Sequence, residues 1–201
     1  MTPYYYLALG DSYTIGESVK EQERFPVQTV NLLRSQGFQV GDPLIVATTG
    51  WTTDELEQGI REANITETFD IVTLLIGVNN QYRGRSVAEY REQFTALLQK
   101  AIGFAGNIPS HVVVLSIPDW GATPYAEGRD KGQIAAAIDA YNDANRFIAA
   151  AMGTGWLDIT RYTREAVTDP ALVAPDGLHP SGKDYARWSQ DLALMLQQAL
   201  H

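Results

Sequence analysis

Cysteine is absent from the 201 residues of this sequence, and histidine occurs only three times. Without cysteine the chain has no disulfide bond, no thiolate nucleophile and no metal site built on cysteine. A reaction that needs an imidazole base must use one of the three histidines. The base can therefore be sought by elimination.

Basic clusters are missing as well. The formal net charge is -9, and the densest basic spots, such as Arg83 and Arg85, are pairs rather than patches. A protein that binds nucleic acid needs a basic surface to neutralise phosphates, and anionic membrane surfaces attract the same kind of patch. The sequence therefore predicts no nucleic-acid partner and favours a neutral or cationic small molecule as substrate.

Long apolar runs are also lacking. No stretch approaches the roughly 18 apolar residues that a membrane span requires. The first six residues lack the basic segment and following apolar stretch of a secretory signal. We therefore expect no transmembrane segment and a cytoplasmic location, although a leader removed earlier would leave no trace. The oligomeric state cannot be read from the sequence.

The composition is that of an ordinary folded protein. Apolar residues make up 45% of the chain and charged residues 19%, which is far from the low hydrophobicity and high charge of disordered chains. The sequence contains no repeat, low-complexity segment or interdomain linker. We therefore expect residues 1–201 to form a single domain with a substantial core.

Five short apolar runs predict five strands. The first four are nearly continuous rather than alternating, which is typical of strands covered on both faces of a parallel sheet. The runs are Tyr4–Leu9, Leu44–Thr48, Ile71–Ile76, Val112–Ile117 and the weaker Trp156–Ile159.

Segments with helical period separate these runs. Capping-box pairs mark three helix starts, at Thr52 and Glu55, Ser86 and Glu89, and Ser181 and Asp184. The predicted helices cover residues 26–35, 87–102, 134–148 and 185–199, and a further one follows Thr52. Because strands and helices alternate throughout, the fold class is α/β with a doubly wound parallel sheet of about five strands.

Polar residues follow each predicted strand. In open parallel sheets, ligands bind outside the carboxyl ends of the strands, so these segments are expected to share one edge. They are Gly10-Asp11-Ser12-Tyr13-Thr14, Thr48-Thr49-Gly50-Trp51-Thr52, Gly77-Val78-Asn79-Asn80, Pro118-Asp119-Trp120-Gly121 and Asp176-Gly177-Leu178-His179-Pro180.

Elimination leaves one histidine at this edge. His201 is the last residue of the sequence, and chain ends are commonly poorly ordered. His111 begins the fourth predicted strand and so belongs to the opposite edge of the sheet. His179 alone lies on the expected functional edge, three residues after Asp176.

Ser12, His179 and Asp176 supply the parts of a nucleophilic site. A serine hydroxyl is a poor nucleophile until a base removes its proton, and the base needs a third group to fix its tautomer. Oxyanion donors are also required. The backbone N–H groups of Ser12 and Gly50 and the side-chain amide of Asn79 are the candidates. Each of these motifs alone is also compatible with an ordinary turn, so the prediction of a nucleophilic site depends on their occurring together.

The full set resembles the SGNH/GDSL hydrolase family over essentially the whole chain. The matching blocks are Gly10-Asp11-Ser12, Gly50, Gly77-Val78-Asn79 and Asp176-Gly177-Leu178-His179. The resemblance implies a flavodoxin-like α/β/α fold of three layers, catalysis by Ser12, His179 and Asp176, and oxyanion donors from Ser12, Gly50 and Asn79. It implies neither a metal nor an organic cofactor.

Two residues depart from the family pattern. Tyr13 replaces the usual leucine after the nucleophile, which leaves the chemistry intact and reshapes the pocket wall. Asn80 replaces the usual aspartate after Asn79. If the aspartate stabilises this loop in other members of the family, the side-chain amide of Asn80 must do so here. The α/β-hydrolases are excluded because Ser12 lacks the Gly-x-Ser-x-Gly elbow, having Thr14 in the second glycine position.

The substrate pocket is expected beside the irregular stretch of residues 118–129. Tyr13, Trp51, Val78, Tyr82 and Trp120 are the predicted wall residues, although each aromatic ring can equally pack a loop onto the body of the protein. If they line the site, they favour a substrate with a short acyl chain or a compact ester. The sequence also lacks the apolar, lid-like segment that is typical of an interfacial lipase.

Three functional interpretations remain open. The first is a carboxylester hydrolase, with lysophospholipids or thioesters among its potential substrates. The second is a carbohydrate O-deacetylase. The third is a catalytically silent binding module, against which the intact set of Ser12, Asp176 and His179 argues.

Overall fold

Five parallel strands form the centre of the structure, which is a computed structural model describing residues 3–200. The strand order across the sheet is β2-β1-β3-β4-β5. The strands are β1 (Tyr6–Gly10), β2 (Leu44–Ala47), β3 (Ile71–Leu75), β4 (Val112–Leu115) and β5 (Gly155–Leu157). The predicted parallel sheet of about five strands is confirmed.

The apolar runs located every strand but not its ends. The first run starts at Tyr4, whereas β1 starts at Tyr6, because Tyr4 makes only an isolated bridge with Val40. Tyr5 is 51% exposed. At the other edge of the sheet, β5 ends at Leu157, two residues before the end of the predicted run.

Eight α-helices are found among residues 3–200, with short 3-10 turns between some of them. They are α1 (Ser12–Ile15), α2 (Phe25–Ser35), α3 (Thr53–Ala63), α4 (Val78–Tyr82), α5 (Val87–Phe104), α6 (Lys131–Met152), α7 (Thr160–Arg164) and α8 (Gly182–Leu200).

The helices form an outer layer on each face of the sheet. The chain moves from β1 to β2 in one direction and from β3 to β5 in the other, so right-handed crossovers place the connecting helices on opposite faces. Helices α2 and α8 pack together in one layer, and α3, α5 and α6 pack in sequence in the other. The fold is the three-layer α/β/α arrangement that the sequence predicts.

The predicted capping pairs are present at three helix starts. The Ser86 hydroxyl accepts the Glu89 N–H at 3.1 Å at the start of α5. The Thr52 N–H donates to the Glu55 carboxylate at 2.9 Å before α3. Before α8, the Ser181 hydroxyl accepts a longer hydrogen bond of 3.4 Å from the Asp184 N–H. These caps fix the residues at which α3, α5 and α8 begin, and so where the preceding loops end.

A crevice lies at the carboxyl ends of β1 and β3, where the order of the strands reverses. The turn after β1 starts α1 at Ser12, and the turn after β3 starts α4 at Val78. The segment after β2 contributes Gly50 to the same edge. No helix within residues 3–200 is long and apolar enough to cross a membrane.

Candidate active site

Ser12, His179 and Asp176 form one hydrogen-bonded chain. The Nε2 atom of His179 lies 2.9 Å from the Ser12 Oγ, and Nδ1 lies 2.6 Å from Oδ2 of Asp176. Ser12 is 3% exposed and His179 is 6% exposed, so both reacting groups are largely shielded from water. The three predicted residues are therefore brought together from both ends of the chain.

The Asp176 carboxylate is held ionised by several donors. Partial burial disfavours its charge, but hydrogen bonds from His179, Leu178 and Ser18 outweigh that effect and lower its pKa to about 2. The backbone N–H groups of Leu178 and His179 donate to Oδ1 at 2.9 and 3.0 Å. A charged Asp176 fixes Nδ1–H of His179 as the donor and leaves Nε2 as the acceptor for Ser12.

Ser12 stands at the first position of α1. The Asp11 side chain caps this helix by accepting the Tyr13 N–H at 3.0 Å. The turn before it requires a residue without a side chain, because a Cβ at Gly10 would lie 2.1 Å from Oγ1 of Thr14 and 2.6 Å from the Leu75 carbonyl. The tight turn places the hydroxyl and N–H of Ser12 at the end of β1.

Two backbone N–H groups are free to face a developing oxyanion. Within residues 3–200, neither the Ser12 N–H nor the Gly50 N–H has a hydrogen-bond acceptor. Gly50 has a φ of 85°, a conformation that favours glycine. Its carbonyl accepts a 2.7 Å hydrogen bond from the Arg83 guanidinium, which holds the turn in place.

The Asn79 amide is the third donor that the sequence predicts at this position. Its Nδ2 donates to the Trp51 carbonyl at 2.9 Å and makes a longer contact of 3.4 Å with Oδ2 of Asp11. The second contact is near the limit of hydrogen-bond geometry and is readily exchanged for a stronger acceptor. Asn79 therefore has one anchored hydrogen and one that can serve an oxyanion.

A pocket of about 160 Å³ opens over Ser12 and His179. It is small, since pockets for drug-sized ligands commonly hold about 300–1,000 Å³. Its wall includes four of the five residues that the sequence proposed for substrate contact, together with the three oxyanion candidates. Those four are Tyr13, Val78, Tyr82 and Trp120.

Aromatic side chains close the outer side of this pocket. The hydroxyls of Tyr82 and Tyr125 are hydrogen-bonded at 2.9 Å, and both side chains are partly exposed. The Arg129 guanidinium lies 5.3 Å from the Trp120 ring centroid and less than 6 Å from both tyrosine rings. Cation–π contacts of this kind are weakly attractive at exposed positions. They link the aromatic side chains of the outer wall to one another.

The sequence matches a family model over residues 8–187, described as the GDSL-like Lipase/Acylhydrolase family. The chain belongs to this family. The predicted resemblance to SGNH/GDSL hydrolases is thereby confirmed. A comparison with curated proteins found no match.

Solved structures with the same fold include TesA, Axe2 and AlinE4. TesA superposes with a TM-score of 0.75 at 17% identity, covering 97% of this chain and 99% of TesA. The acetylxylan esterase Axe2 from Geobacillus stearothermophilus gives 0.71 at 18% identity, covering 98% and 94% of the two chains. AlinE4, an SGNH-hydrolase family esterase, gives 0.68 at 20% identity, covering 100% and 98%. At these identities the similarity establishes the fold.

Both departures from the family pattern have a structural role in this GDSL-family protein. The Tyr13 ring lies against the His179 imidazole, with centroids 4.9 Å apart, and is one wall of the pocket. The buried Asn80 accepts the Thr53 N–H at 3.1 Å and donates to the Thr53 hydroxyl at 2.7 Å. The amide of Asn80 thus braces the loop of Asn79 against the start of α3.

Trp51 is the one proposed substrate-contacting residue that the structure does not bring to the pocket. Its indole covers Gly59 on α3, where an added Cβ would lie 2.1 Å from the ring. Thr49 and Leu178 line the pocket instead. Both stand beside residues that the sequence did single out, but the direction of a side chain in an irregular turn has no sequence signal.

The other two histidines are not at the site. His111 ends a 3-10 turn directly before β4, at the amino end of the sheet as predicted. His201 lies outside the described residues. Residues 3–200 also contain no group of three or more histidine, aspartate or glutamate side chains placed to hold a metal ion.

Proposed function

We propose that this chain is a carboxylester hydrolase that uses Ser12 as its nucleophile and passes through an acyl-enzyme. The observation that carries the proposal is the uninterrupted chain from the Ser12 Oγ through His179 to the Asp176 carboxylate, with links of 2.9 and 2.6 Å. The nucleophile–base and base–acid contacts both have hydrogen-bond length, which such a reaction needs. A silent binding module has no need of this alignment.

Acylation begins with attack by Ser12 on the ester carbonyl. Nε2 of His179 accepts the hydroxyl proton as the new C–O bond forms, and the ionised Asp176 stabilises the imidazolium. The imidazolium then donates this proton to the oxygen of the leaving alcohol as the old C–O bond breaks. The acyl group remains on Ser12.

The negative charge of the tetrahedral intermediate falls on the former carbonyl oxygen. The N–H groups of Ser12 and Gly50 and the Asn79 amide are assigned to stabilise this oxyanion. Donors that are already oriented need no reorganisation during the reaction, and each is typically worth about 10²–10³ in kcat. Water then repeats the sequence on the acyl-enzyme, with His179 again acting as base and then acid.

The pocket favours a short acyl group or compact ester. A volume of about 160 Å³ and an outer wall tied by Tyr82 and Tyr125 leave little room for a long chain. These features disfavour lysophospholipids and long acyl thioesters as substrates.

A carbohydrate O-deacetylase is the second candidate. It is supported by the same small pocket, since acetyl is the smallest common acyl group, and by the shared fold with the acetylxylan esterase Axe2. It differs from the first candidate in the alcohol portion of the substrate. Faster acetate release from acetylated sugars than from aryl acetates would favour it.

The test is the hydrolysis of p-nitrophenyl acetate by the purified protein and by its Ser12→Ala variant. We expect the wild type to turn over and the variant to lose at least about 10³-fold in kcat. Ser35→Ala, which removes an exposed hydroxyl at the end of α2, is the matched control and should keep full activity. Equal rates for the wild type and Ser12→Ala would contradict the proposal.

A further inference from the structure

The acid of the proposed triad is more open to solvent than its histidine. The Asp176 side chain is 28% exposed, whereas that of His179 is 8% exposed. An exposed carboxylate can rotate and exchange its partners with water, which weakens its hold on the imidazole. The orientation of Asp176 therefore depends on the donors around it.

One of these donors lies outside the family motifs. The Ser18 hydroxyl donates to Oδ2 of Asp176 at 2.7 Å, although the two residues are 158 positions apart. Oδ2 is also the atom that accepts Nδ1–H of His179. Ser18 thus closes the side of Oδ2 that would otherwise face water.

The backbone of Ser18 is held in a conformation that non-glycine residues rarely adopt. Its φ is 64°, one of three positive values among non-glycine residues within 3–200. Such a conformation is unfavourable for a residue with a Cβ and persists where the surroundings require it. The preceding residue is anchored twice, since the Glu17 N–H donates to the Ser12 carbonyl at 3.0 Å and the Glu17 carboxylate accepts the Thr49 hydroxyl.

We propose that Ser18 is a positioning residue that orients the Asp176 carboxylate toward His179 and ties the loop of the acid to the turn of the nucleophile. This inference rests on the proposed function, because it assigns Ser18 a part in the same reaction. Ser18 is not among the residues that line the substrate pocket. Its hydroxyl therefore acts on the acid and not on the substrate.

Other charged groups surround the pair without replacing Ser18. The carboxylates of Asp11 and Asp119 lie near the Tyr13 ring that contacts His179. Asp184 borders the small cavity behind the imidazole. Glu17 is engaged with Thr49. Within residues 3–200, none of these four side chains bonds to Asp176.

The experiment compares Ser18→Ala with Ser18→Gly. Both remove the hydroxyl, but only glycine relieves the positive φ. A role for the hydroxyl predicts that both variants lose about tenfold in kcat, or about 1.4 kcal/mol, with KM within about twofold of wild type. The acid limb of the pH profile should move to lower pH, because a carboxylate that is no longer oriented toward Nδ1 stabilises the imidazolium less.

Two results would overturn the inference. Wild-type kcat in Ser18→Gly beside a loss in Ser18→Ala would assign the effect to backbone strain. Wild-type kcat and pH profile in both variants would show that the hydroxyl has no role.

A second readout needs no substrate and so separates this inference from the proposed function. The Nδ1 proton of His179 should give a downfield proton NMR resonance, which should move upfield in Ser18→Ala because the hydrogen bond to Asp176 is weakened. If the wild type hydrolyses no ester but the resonance moves, the proposed function fails and the positioning contact stands. An unchanged resonance in Ser18→Ala would contradict the contact whether or not the protein is active.

Discussion

The Nε2 atom of His179 lies 2.9 Å from the Oγ of Ser12, although 167 positions of sequence separate the two residues. The contact joins the turn after the first strand to the loop before the last helix. It depends on the parallel sheet, which brings the carboxyl ends of all strands to one edge.

Asp176→Asn tests the role of the acid. Because the Asp176 pKa is about 2, the carboxylate stays ionised above about pH 4, and the acid limb of activity then reports the protonation of His179. The amide of the variant favours the wrong imidazole tautomer, so kcat should fall by about 10³–10⁴. Steady-state rates over the pH range measure both effects, and a variant with near-normal activity would contradict the assignment.

The depressed pKa of Asp176 also has a consequence for stability. The native state favours the ionised form, so its stabilising contribution is present above the ordinary aspartate pKa of 3.8 and is lost as pH falls from there toward 2. The Asp176→Asn variant should lack the loss of unfolding free energy that protonation of Asp176 causes at low pH. Urea unfolding at a series of pH values measures this difference.

Gly50→Ala tests the oxyanion assignment. Alanine at a φ of 85° is strained by about 1–2 kcal/mol, and relief of the strain turns the N–H away from the oxyanion. We expect kcat to fall by about 10–100-fold, with a smaller change in KM. Gly37→Ala is a matched control, because Gly37 has a φ of 94° and open space around it. Equal activity losses in both variants would contradict a specific role for Gly50.

The sequence predicted both the fold and the candidate site residues at the carboxyl edge of the sheet, but through different kinds of signal. The apolar runs located all five strands, most clearly β1, β3 and β4, because a fully buried parallel strand needs continuous apolar side chains. The three residues of the proposed triad were found by asking which residues come after each strand, and the structure places them within hydrogen-bond distance of one another. His179 was identified because a chain with three histidines leaves little choice once the edge is known.

The remaining parts depend on tertiary geometry that has no local signal. Ser18 occupies a positive φ without being glycine, asparagine or aspartate, so its residue type gave no indication of its conformation. Its contact with Asp176 joins two loops far apart in sequence. Trp51 stands in the right turn but packs on Gly59 instead of the pocket.

Tyr125→Ala tests whether the outer wall limits acyl length. With p-nitrophenyl esters, wild-type kcat/KM should decline as the acyl chain grows, and removal of the Tyr125 ring should extend activity to longer chains. Each additional buried methylene is worth about 0.8 kcal/mol, or about fourfold. Tyr125→Phe removes only the hydroxyl that meets Tyr82 and should retain the short-chain preference. An unchanged profile in Tyr125→Ala would contradict this role of the wall.

The buried carboxyl group of Asp11 should make the free energy of unfolding depend on pH. Burial raises its pKa to about 7, against the lowering effect of the Tyr13 N–H. The native state therefore binds a proton that the unfolded state releases between about pH 4 and 7, so this contribution to stability falls as pH rises through that window. The change should be of the order of a few kcal/mol.

Urea unfolding of Asp11→Asn at pH 4.5 and pH 8 measures this contribution. The variant should show a smaller loss of stability with rising pH than the wild type, while the buried Asp184, whose pKa burial also raises, still contributes in both proteins. Asp42→Asn, in which the replaced side chain is 89% exposed, should behave like the wild type. If the unfolding free energy of Asp11→Asn depended on pH in the same way as that of the wild type, a contribution from Asp11 would be excluded.

Activation of Ser12 by His179 can be measured by covalent capture of the nucleophile. The purified protein is treated with a fluorophosphonate, and the modified residue is located by peptide mass spectrometry. We expect a single adduct on Ser12 and labelling at least about 10²-fold slower in His179→Ala. An unlabelled wild-type protein, or an adduct that forms on Ser12 at the same rate without His179, would contradict the activation of Ser12 by His179.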